Sequence, residues 1–395
     1  MGLKQSIYNC IGENIERNKI KRRTEYERWR VWSDDSNKKI IVFGASAMCG
    51  ICMNHFEEMK IKVDCICSND SSQHGEFLTT TGKHIKIVSV EDAMDDAKNS
   101  ICFIATGSGH FDDIRKQLKK YGLRDIIMYW NMGLYLEMTQ LLLDDENSLV
   151  HKIAELVEFY DDEESLKVLF AHFEMLLELE NIPNELKKIS MDNTCVKPQY
   201  FLKNGKYLGR QKVMIDCGAY IGDTLDDLLN TIQYDDFDRY ECYEMDFDTC
   251  NRLKKNVSAM NEEIKKKIDI YNVGVGEENE EVSYSRSNIG ESSLIPQNGN
   301  AVAKVVRLDD QCERKQITFL KMDIEGSEQG ALKGCSETIK RCKPMCAICI
   351  YHRVMDFWLI PQLLKSYVPE YHLILRHHST DWEDSVCYAK IGAWE

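Results

Sequence analysis

The sequence predicts an α/β protein with two Rossmann-like doubly wound domains joined by a helical connector, and it places the chemistry in the C-terminal one. Three observations lead there. Two apolar runs, Lys39-Ile-Ile-Val-Phe43 and Val213-Met-Ile-Asp-Cys217, each break into a glycine-bearing turn and then an amphipathic segment. That is the strand–turn–helix corner of a doubly wound sheet. Further short apolar runs alternate with helical patterns behind each corner, as a parallel sheet with crossover helices requires. Between them, residues 141–190 hold no glycine and repeat Leu, Ile and Val at helical spacing.

At 395 residues the chain exceeds one ordinary domain. The expected divisions are an N-terminal helical segment (1–37), a first α/β domain (38–140), a helical connector (141–195) and a final domain (196–395). The net charge of -15 argues against a nucleic-acid backbone as partner. No run approaches the roughly 18 apolar residues of a membrane span. The start, MGLKQSIYNC, lacks the apolar core of a signal peptide. It does carry Gly2 and Ser6 of a myristoylation pattern, three matches with Met1 that chance readily supplies. Sixteen cysteines without a secretory signal point to a reducing compartment, and the expected location is the cytoplasm.

Residues 1–37 are basic and aromatic, with Ile7, Ile11 and Ile15 at helical spacing, and read as surface helix. In the first domain, Gly44-Ala-Ser-Ala-Met-Cys-Gly50 follows the strand, and a helix is expected over Ile51–Met59. A second strand, Ile61–Ser68, ends in Asn69 and Asp70, and a later one, Ile101–Thr106, leads to Gly107-Ser-Gly109. Ser46 and Cys49 stand where a dinucleotide fingerprint needs glycines, which counts against NAD. A nucleotide-sugar, or no ligand, is the expectation for this domain. Cys49-Gly-Ile-Cys52 is a C-x-x-C without the flanks of a redox site.

In the final domain the turn Asp216-x-Gly218-x-x-x-Gly222 departs from the G-x-G-x-x-G spacing that cradles a pyrophosphate. An acidic strand end followed by spaced glycines suits a cationic, phosphate-free ligand, and S-adenosylmethionine (SAM) is such a ligand. Arg239–Glu244 reads as the second strand, with Glu244 placed to accept both ribose hydroxyls through its two oxygens. Ile268–Val273 is a third strand leading to a turn at Gly274-Val-Gly276. The long stretch Glu277–Lys304, with Gly290-Glu-Ser-Ser293, reads as an insert of the kind that forms substrate lids. Ile317–Asp323 is a fourth strand, ending in the carboxylates Asp323, Glu325 and Glu328 around Gly326. These suit a cationic amino group or a substrate hydroxyl. A metal is not expected, because no histidine lies at readable ligand spacing. Met345–Ile350 is a fifth strand running into Tyr351-His352, and a histidine at this edge is placed for general base work. Tyr371–Arg376 and Ser385–Tyr388 close the sheet. Cys335, Cys342, Cys346 and Cys349 do not read as zinc ligands, since neighbours three apart on a strand face opposite ways.

The ordered set Asp216-Cys-Gly-Ala-Tyr-Ile-Gly-Asp-Thr224, Tyr243-Glu244, Arg307-Leu-Asp-Asp310, Lys321-Met-Asp-Ile-Glu-Gly-Ser-Glu328, Leu332-Lys-Gly334 and Tyr351-His352 resembles the FkbM family of SAM-dependent methyltransferases over about residues 196–390. The resemblance implies a class I methyltransferase fold and O-methylation of a hydroxyl on a sugar, glycan or related metabolite. Where many members read Phe-Glu-Pro, this chain has Tyr243-Glu244-Met245, which keeps the acidic residue. Cofactor contacts are expected from Asp216, Gly218, Ala219, Tyr220, Gly222, Asp223, Thr224, Glu244 and Asp323. Proton removal is expected from His352 or Glu325, with Asp323 beside them. The rival readings are a bifunctional protein whose first domain binds NAD or a nucleotide-sugar, and a non-catalytic SAM-binding scaffold. Assembly into a homo-oligomer is compatible with all three.

Overall fold

The structure is a computed structural model. It describes residues 38–128 except 46, 59–60, 80–81 and 107–110; residues 134, 137–138, 141, 152, 155–160 and 162–178; and residues 198–394 except 203–205, 232–235, 287–291, 295–300 and 380–382. The basic segment 1–37 with its lipidation pattern, the Gly107-Ser-Gly109 turn, much of the connector and the Gly290-Glu291 portion of the insert lie outside the described residues. The chain divides into two compact units, one ending at Asp145 and one spanning Glu146–Glu395.

The first unit holds a six-stranded sheet. Its strands are β1 (Lys39–Phe43), β2 (Cys65–Cys67), β3 (Gly75–Leu78), β4 (His84–Val88), β5 (Ser100–Ile104) and β6 (Asp125–Met128), in the order β3-β4-β2-β1-β5-β6. All neighbours are parallel except the β3–β4 pair. Strand alternation divides β1 between two apolar layers: Ile41 and Phe43 pack on one face, Ile40 and Val42 on the other. Helix α1 (Ala47–Glu58) and helix α2 (Phe111–Lys120) complete it. The second strand is shorter than its apolar run suggests, because Asp64 turns back and its carboxylate accepts the Ile40 N–H (2.8 Å). Cys49 and Cys52 lie in the apolar layer with Phe56. Burial pushes the Cys49 thiol up to about 12 and raises that of Cys52 well above its ordinary range. Neither thiol is reactive at neutral pH.

In the second unit, helix α3 (Glu163–Glu178) lies on the sheet edge rather than spanning open space. Ser165 Oγ accepts the Leu375 N–H (2.8 Å), and Asp162 pairs with Arg376 (3.1 Å). Ser385 Oγ sits between the buried rings of His172 (2.6 Å) and His377 (2.8 Å).

The main sheet has seven strands: β7 (Gln211–Cys217), β8 (Phe237–Tyr243), β9 (Ile268–Tyr271), β14 (Ile317–Met322), β15 (Met345–Cys349), β16 (Tyr371–His377) and β17 (Ser385–Ile391). Their order is β16-β17-β15-β14-β7-β8-β9, parallel from β15 to β9, with β17 antiparallel to both of its neighbours. The order reverses between β7 and β14, so the crevice at their carboxyl ends is where a ligand enters such a sheet. Helix α4 (Asp223–Thr231) follows β7, helix α5 (Phe247–Ser258) follows β8, helix α6 (Glu328–Lys333) follows β14 and helix α7 (Asp356–Tyr367) follows β15. Cys346 and Cys349 are both buried in β15, and all described cysteines are free.

The insert is a second sheet rather than an open loop. Strands β10 (Gly274–Val275), β11 (Glu280–Arg286), β12 (Ser292–Leu294) and β13 (Ala301–Val306) take the order β10-β13-β11-β12. The expected turn at Gly274-Val-Gly276 is therefore partly strand: Gly274 and Val275 pair in parallel with Val305 and Val306. Alternation decides it, since Ala303 and Val305 face inward while Val302 and Lys304 face out. Tyr284, fully buried, donates to Asp246 (3.1 Å), the residue that caps α5.

Candidate active site

The geometry begins at the end of β7. Gly218 has φ +74°, and a Cβ there would stand 1.8 Å from the carbonyl oxygen of Asp323. Only glycine lets the chain cross so close to the end of β14. The Gly218 and Ala219 N–H groups both donate to the Tyr243 carbonyl (2.9 and 3.1 Å), tying the turn to β8. Tyr220 is left-handed at φ +46°, a conformation costing about 1–3 kcal/mol outside glycine. It is held there by its N–H, which donates to Glu244 Oε2 (3.0 Å). Gly222, at φ +94°, lies over Leu253 of α5.

Beneath the turn is a buried ion pair. Lys321 Nζ donates to the Gly218 carbonyl (2.6 Å) and stands 3.0 Å from Asp216, which also accepts from Tyr240 (2.8 Å). Burial opposes the charge on Lys321, but Asp216 and Asp323 outweigh it and raise the lysine above its ordinary range. Breaking one partner of such a pair costs several kcal/mol, about 3–5, by stranding the other charge.

Glu244 follows β8 directly. Its Oε1 accepts the Asp246 N–H (2.8 Å), and its Oε2 the Tyr220 N–H. Burial, partly offset by these two donors, pushes its carboxyl up to about 7. Each oxygen retains a further lone pair.

After β14 comes a second unusual turn, with Glu325 at φ +56° and Gly326 at φ +90°. Asp323 accepts from Tyr200 (2.8 Å) and Tyr351 (3.3 Å). Burial disfavours its charge, but Lys321, His352 and Tyr200 together hold its carboxyl below the usual range. Glu328 is fully buried, and its Oε1 accepts the Ile324 N–H (2.8 Å). His352 Nδ1 lies 3.1 Å from Glu328, while Nε2 is 3.6 Å from Asp323 and 3.5 Å from Glu325. These are ion-pair approaches, because neither ring nitrogen meets hydrogen-bond geometry. Burial opposes protonation of the ring, yet Glu328, Asp323 and Glu325 raise it to about 10.

All of this opens on one cleft of about 540 Å³. Of the residues expected from sequence, Gly218, Tyr220, Asp223, Thr224, Glu244, Asp323 and Glu325 line it. Asp216, Ala219, Gly222 and His352 do not. Asp216 points into the sheet to hold Lys321, Ala219 is packed in the core and Gly222 shapes the turn. Sequence reasoning missed Tyr200, Lys321, Tyr243 and Arg353 as lining residues, together with Glu280 and Val282 of the insert. Only Lys321 carried a signal, as the one cation in an otherwise apolar strand.

The fold is that of a class I methyltransferase. The family described as Methyltransferase FkbM domain matches residues 216–378, so this stretch is similar to those domains and the chain is a methyltransferase. The crystal structure of methyltransferase FkbM from Methylobacillus flagellatus KT is similar at a TM-score of 0.66 and 21% identity, covering 98% of this chain and 99% of that one. A putative rRNA-methylase from Clostridium thermocellum is matched at a TM-score of 0.32 and 9% identity, over 47% of this chain and 89% of that one. A SAM dependent methyltransferase from Aquifex aeolicus is matched at 0.29 and 13%, over 53% and 98%. No curated protein sequence matches the chain. Among the described residues no helix is long and apolar enough to cross a membrane.

Proposed function

We propose that the cleft binds SAM against the Gly218 turn and Glu244, and that the enzyme methylates a hydroxyl of an uncharged sugar, glycan or related metabolite. The observation that carries this reading is the continuity of one cleft from Glu244, past the Gly218 turn, to Asp323 and Glu325. The residues present fit the cofactor. Glu244 offers unused lone pairs at the cleft wall, and the lining carboxylates suit a cation.

When bound, SAM supplies a methyl group on a sulfonium, ready for in-line displacement. The protein therefore has to position two reactants and remove one proton. Glu244 accepts the ribose hydroxyls, and Lys321 and Asp216 fix the turn that orients them. Asp223, at the start of α4, and Asp323 line the cleft and would hold the cationic methionine end. Glu325 takes the acceptor proton: it lines the cleft, and its side chain is 46% exposed. His352 sits behind it among carboxylates, with Nε2 3.6 Å from Asp323 and 3.5 Å from Glu325. Across the lining, Asp223, Glu244, Glu277, Glu280, Asp323 and Glu325 face only Lys321 and Arg353. That balance attracts a sulfonium and repels a phosphorylated or carboxylated acceptor.

The test is methyl transfer from radiolabelled SAM to a panel of neutral glycans and their phosphorylated counterparts. The expected result is labelling of neutral acceptors, with Glu325→Gln lowering kcat about 100-fold or more at unchanged SAM affinity. Preference for phosphorylated acceptors would overturn the acceptor class, and full turnover by Glu325→Gln would remove Glu325 from its role.

A further inference from the structure

Beneath the Glu325 turn lies a set of donors that proton removal does not use. We propose that Asp323, Glu328 and His352 form a binding site for one divalent first-row transition ion of the Mn2+ or Zn2+ kind, and that this ion staples the Glu325 turn to the end of β15. One donor atom from each of the three residues lies within 4.8 Å of the others. Donors on a single ion with bonds of about 2.1 Å stand up to about 4.2 Å apart, so only sub-ångström side-chain shifts are needed.

A second observation is independent of this spacing. The His352 side chain is 8% exposed and that of Glu328 is fully buried. Both His352 nitrogens and Glu328 Oε2 make no hydrogen bond. Buried polar atoms left in this state are destabilising unless something satisfies them. Nearby stand Glu325 and the buried Asp356, whose Oδ2 also makes no hydrogen bond. One imidazole thus faces a group of carboxylates that a dication would satisfy better than a single proton.

The donor set selects the ion. Two carboxylates and one imidazole suit Mn2+, Fe2+ or Zn2+, whereas Mg2+ and Ca2+ prefer oxygen throughout. The position selects the role. Asp323 precedes and Glu328 follows the left-handed pair Glu325 and Gly326, and His352 belongs to the neighbouring strand end. Of the three, only Asp323 lines the cleft. The ion therefore fixes the turn rather than meeting the acceptor. Sequence spacing hides the site, because His352 is contributed by a later strand. The stapling role, though not the binding, rests on Glu325 being the proton acceptor.

The test uses the full chain, stripped with a chelator, dialysed and titrated with MnCl2 by calorimetry and by Mn2+ electron paramagnetic resonance. SAM binding is measured on the same sample. The expected result is one equivalent of Mn2+, with affinity falling at least tenfold in Glu328→Gln and in His352→Asn and staying within about twofold in Glu244→Ala. Circular dichroism identifies any variant that fails to fold, and the two variants serve as substitutes for each other. Wild-type protein that binds SAM but takes up neither Mn2+ nor Zn2+ overturns the site, as does binding unchanged in both folded variants. Metal uptake without SAM binding would leave the site standing and break the cofactor reading alone.

Discussion

The two units contain the same backbone crossing, used differently. In each, the first strand ends in a glycine of positive φ whose N–H donates to the last residue of the second strand: Gly44 to Cys67 (2.8 Å) and Gly218 to Tyr243 (2.9 Å). In each, the neighbouring strand end returns a hydrogen bond: Ala105 to Phe43 (2.8 Å) and Asp323 to Cys217 (3.1 Å). A Cβ would collide in both places, 2.6 Å from the Ala105 oxygen and 1.8 Å from the Asp323 oxygen. What differs is the polar residue after the second strand. In the first unit, Asp70 caps the short helix Ser71–Gln73 by accepting from Ser72, Ser68 donates to Gln73 and Asn69 pairs with Gln117. In the second, Glu244 stays at the cleft wall and holds Tyr220 in a left-handed conformation. The glycine turn is thus a requirement of the fold. Under the proposed function, the ligand site is set by where the next carboxylate points.

The largest effects are expected at the two glycines. Gly218→Ala is expected to abolish measurable SAM binding, because the new methyl meets backbone that cannot yield. Gly44→Ala, strained in the same way, is expected to lower thermal stability while leaving SAM affinity within about twofold. Calorimetry and a thermal melt on both variants check this, and equal loss of binding in the two would erase the distinction.

A smaller effect is expected from pH. Glu244 accepts hydroxyls best as a carboxylate, and burial raises its carboxyl from its ordinary value near 4.5 to about 7. SAM affinity is therefore full above about pH 8 and falls as pH drops through 7, by about tenfold at pH 6. The sign for the unliganded fold is opposite. A raised carboxyl contributes stability below its ordinary value, and that contribution is lost as pH rises through about 7. A calorimetric series across this range checks the first statement, and a flat profile would show that the carboxylate is not the acceptor.

Smaller still is Tyr200→Phe, which removes one donor from Asp323 while Tyr351 and Lys321 remain. A loss of about 1 kcal/mol, or roughly fivefold in kcat, is expected with little change in SAM affinity. Steady-state kinetics with saturating SAM measure it.

Much of this architecture was legible in the sequence. Buried parallel strands read as continuous apolar runs, so β1, β7, β14 and β15 stood out, and the residues at their ends were correctly placed at one sheet edge. Less legible was which way each side chain points. Asp216 looked like a ligand contact but is one residue short of the strand end, and alternation turns it inward to Lys321. His352 looked like an accessible base, and the carboxylates that surround it become its neighbours only when the ends of β14 and β15 come together. The insert was read as a substrate lid without strands of its own, because those strands are short and pair across a gap in sequence. Tyr200 reaches the site from before β7, and no local pattern announces such a contact.

The central claim is that Glu244 and the Gly218 turn form the cofactor site. The most direct measurement is a calorimetric titration of the full chain with SAM and with S-adenosylhomocysteine, repeated on Glu244→Ala. One binding event of about micromolar strength is expected in the wild type, weakened about 10- to 100-fold in the variant, as the loss of charge-assisted hydrogen bonds implies. Absence of binding to folded wild-type protein, or equal binding to the variant, would contradict it.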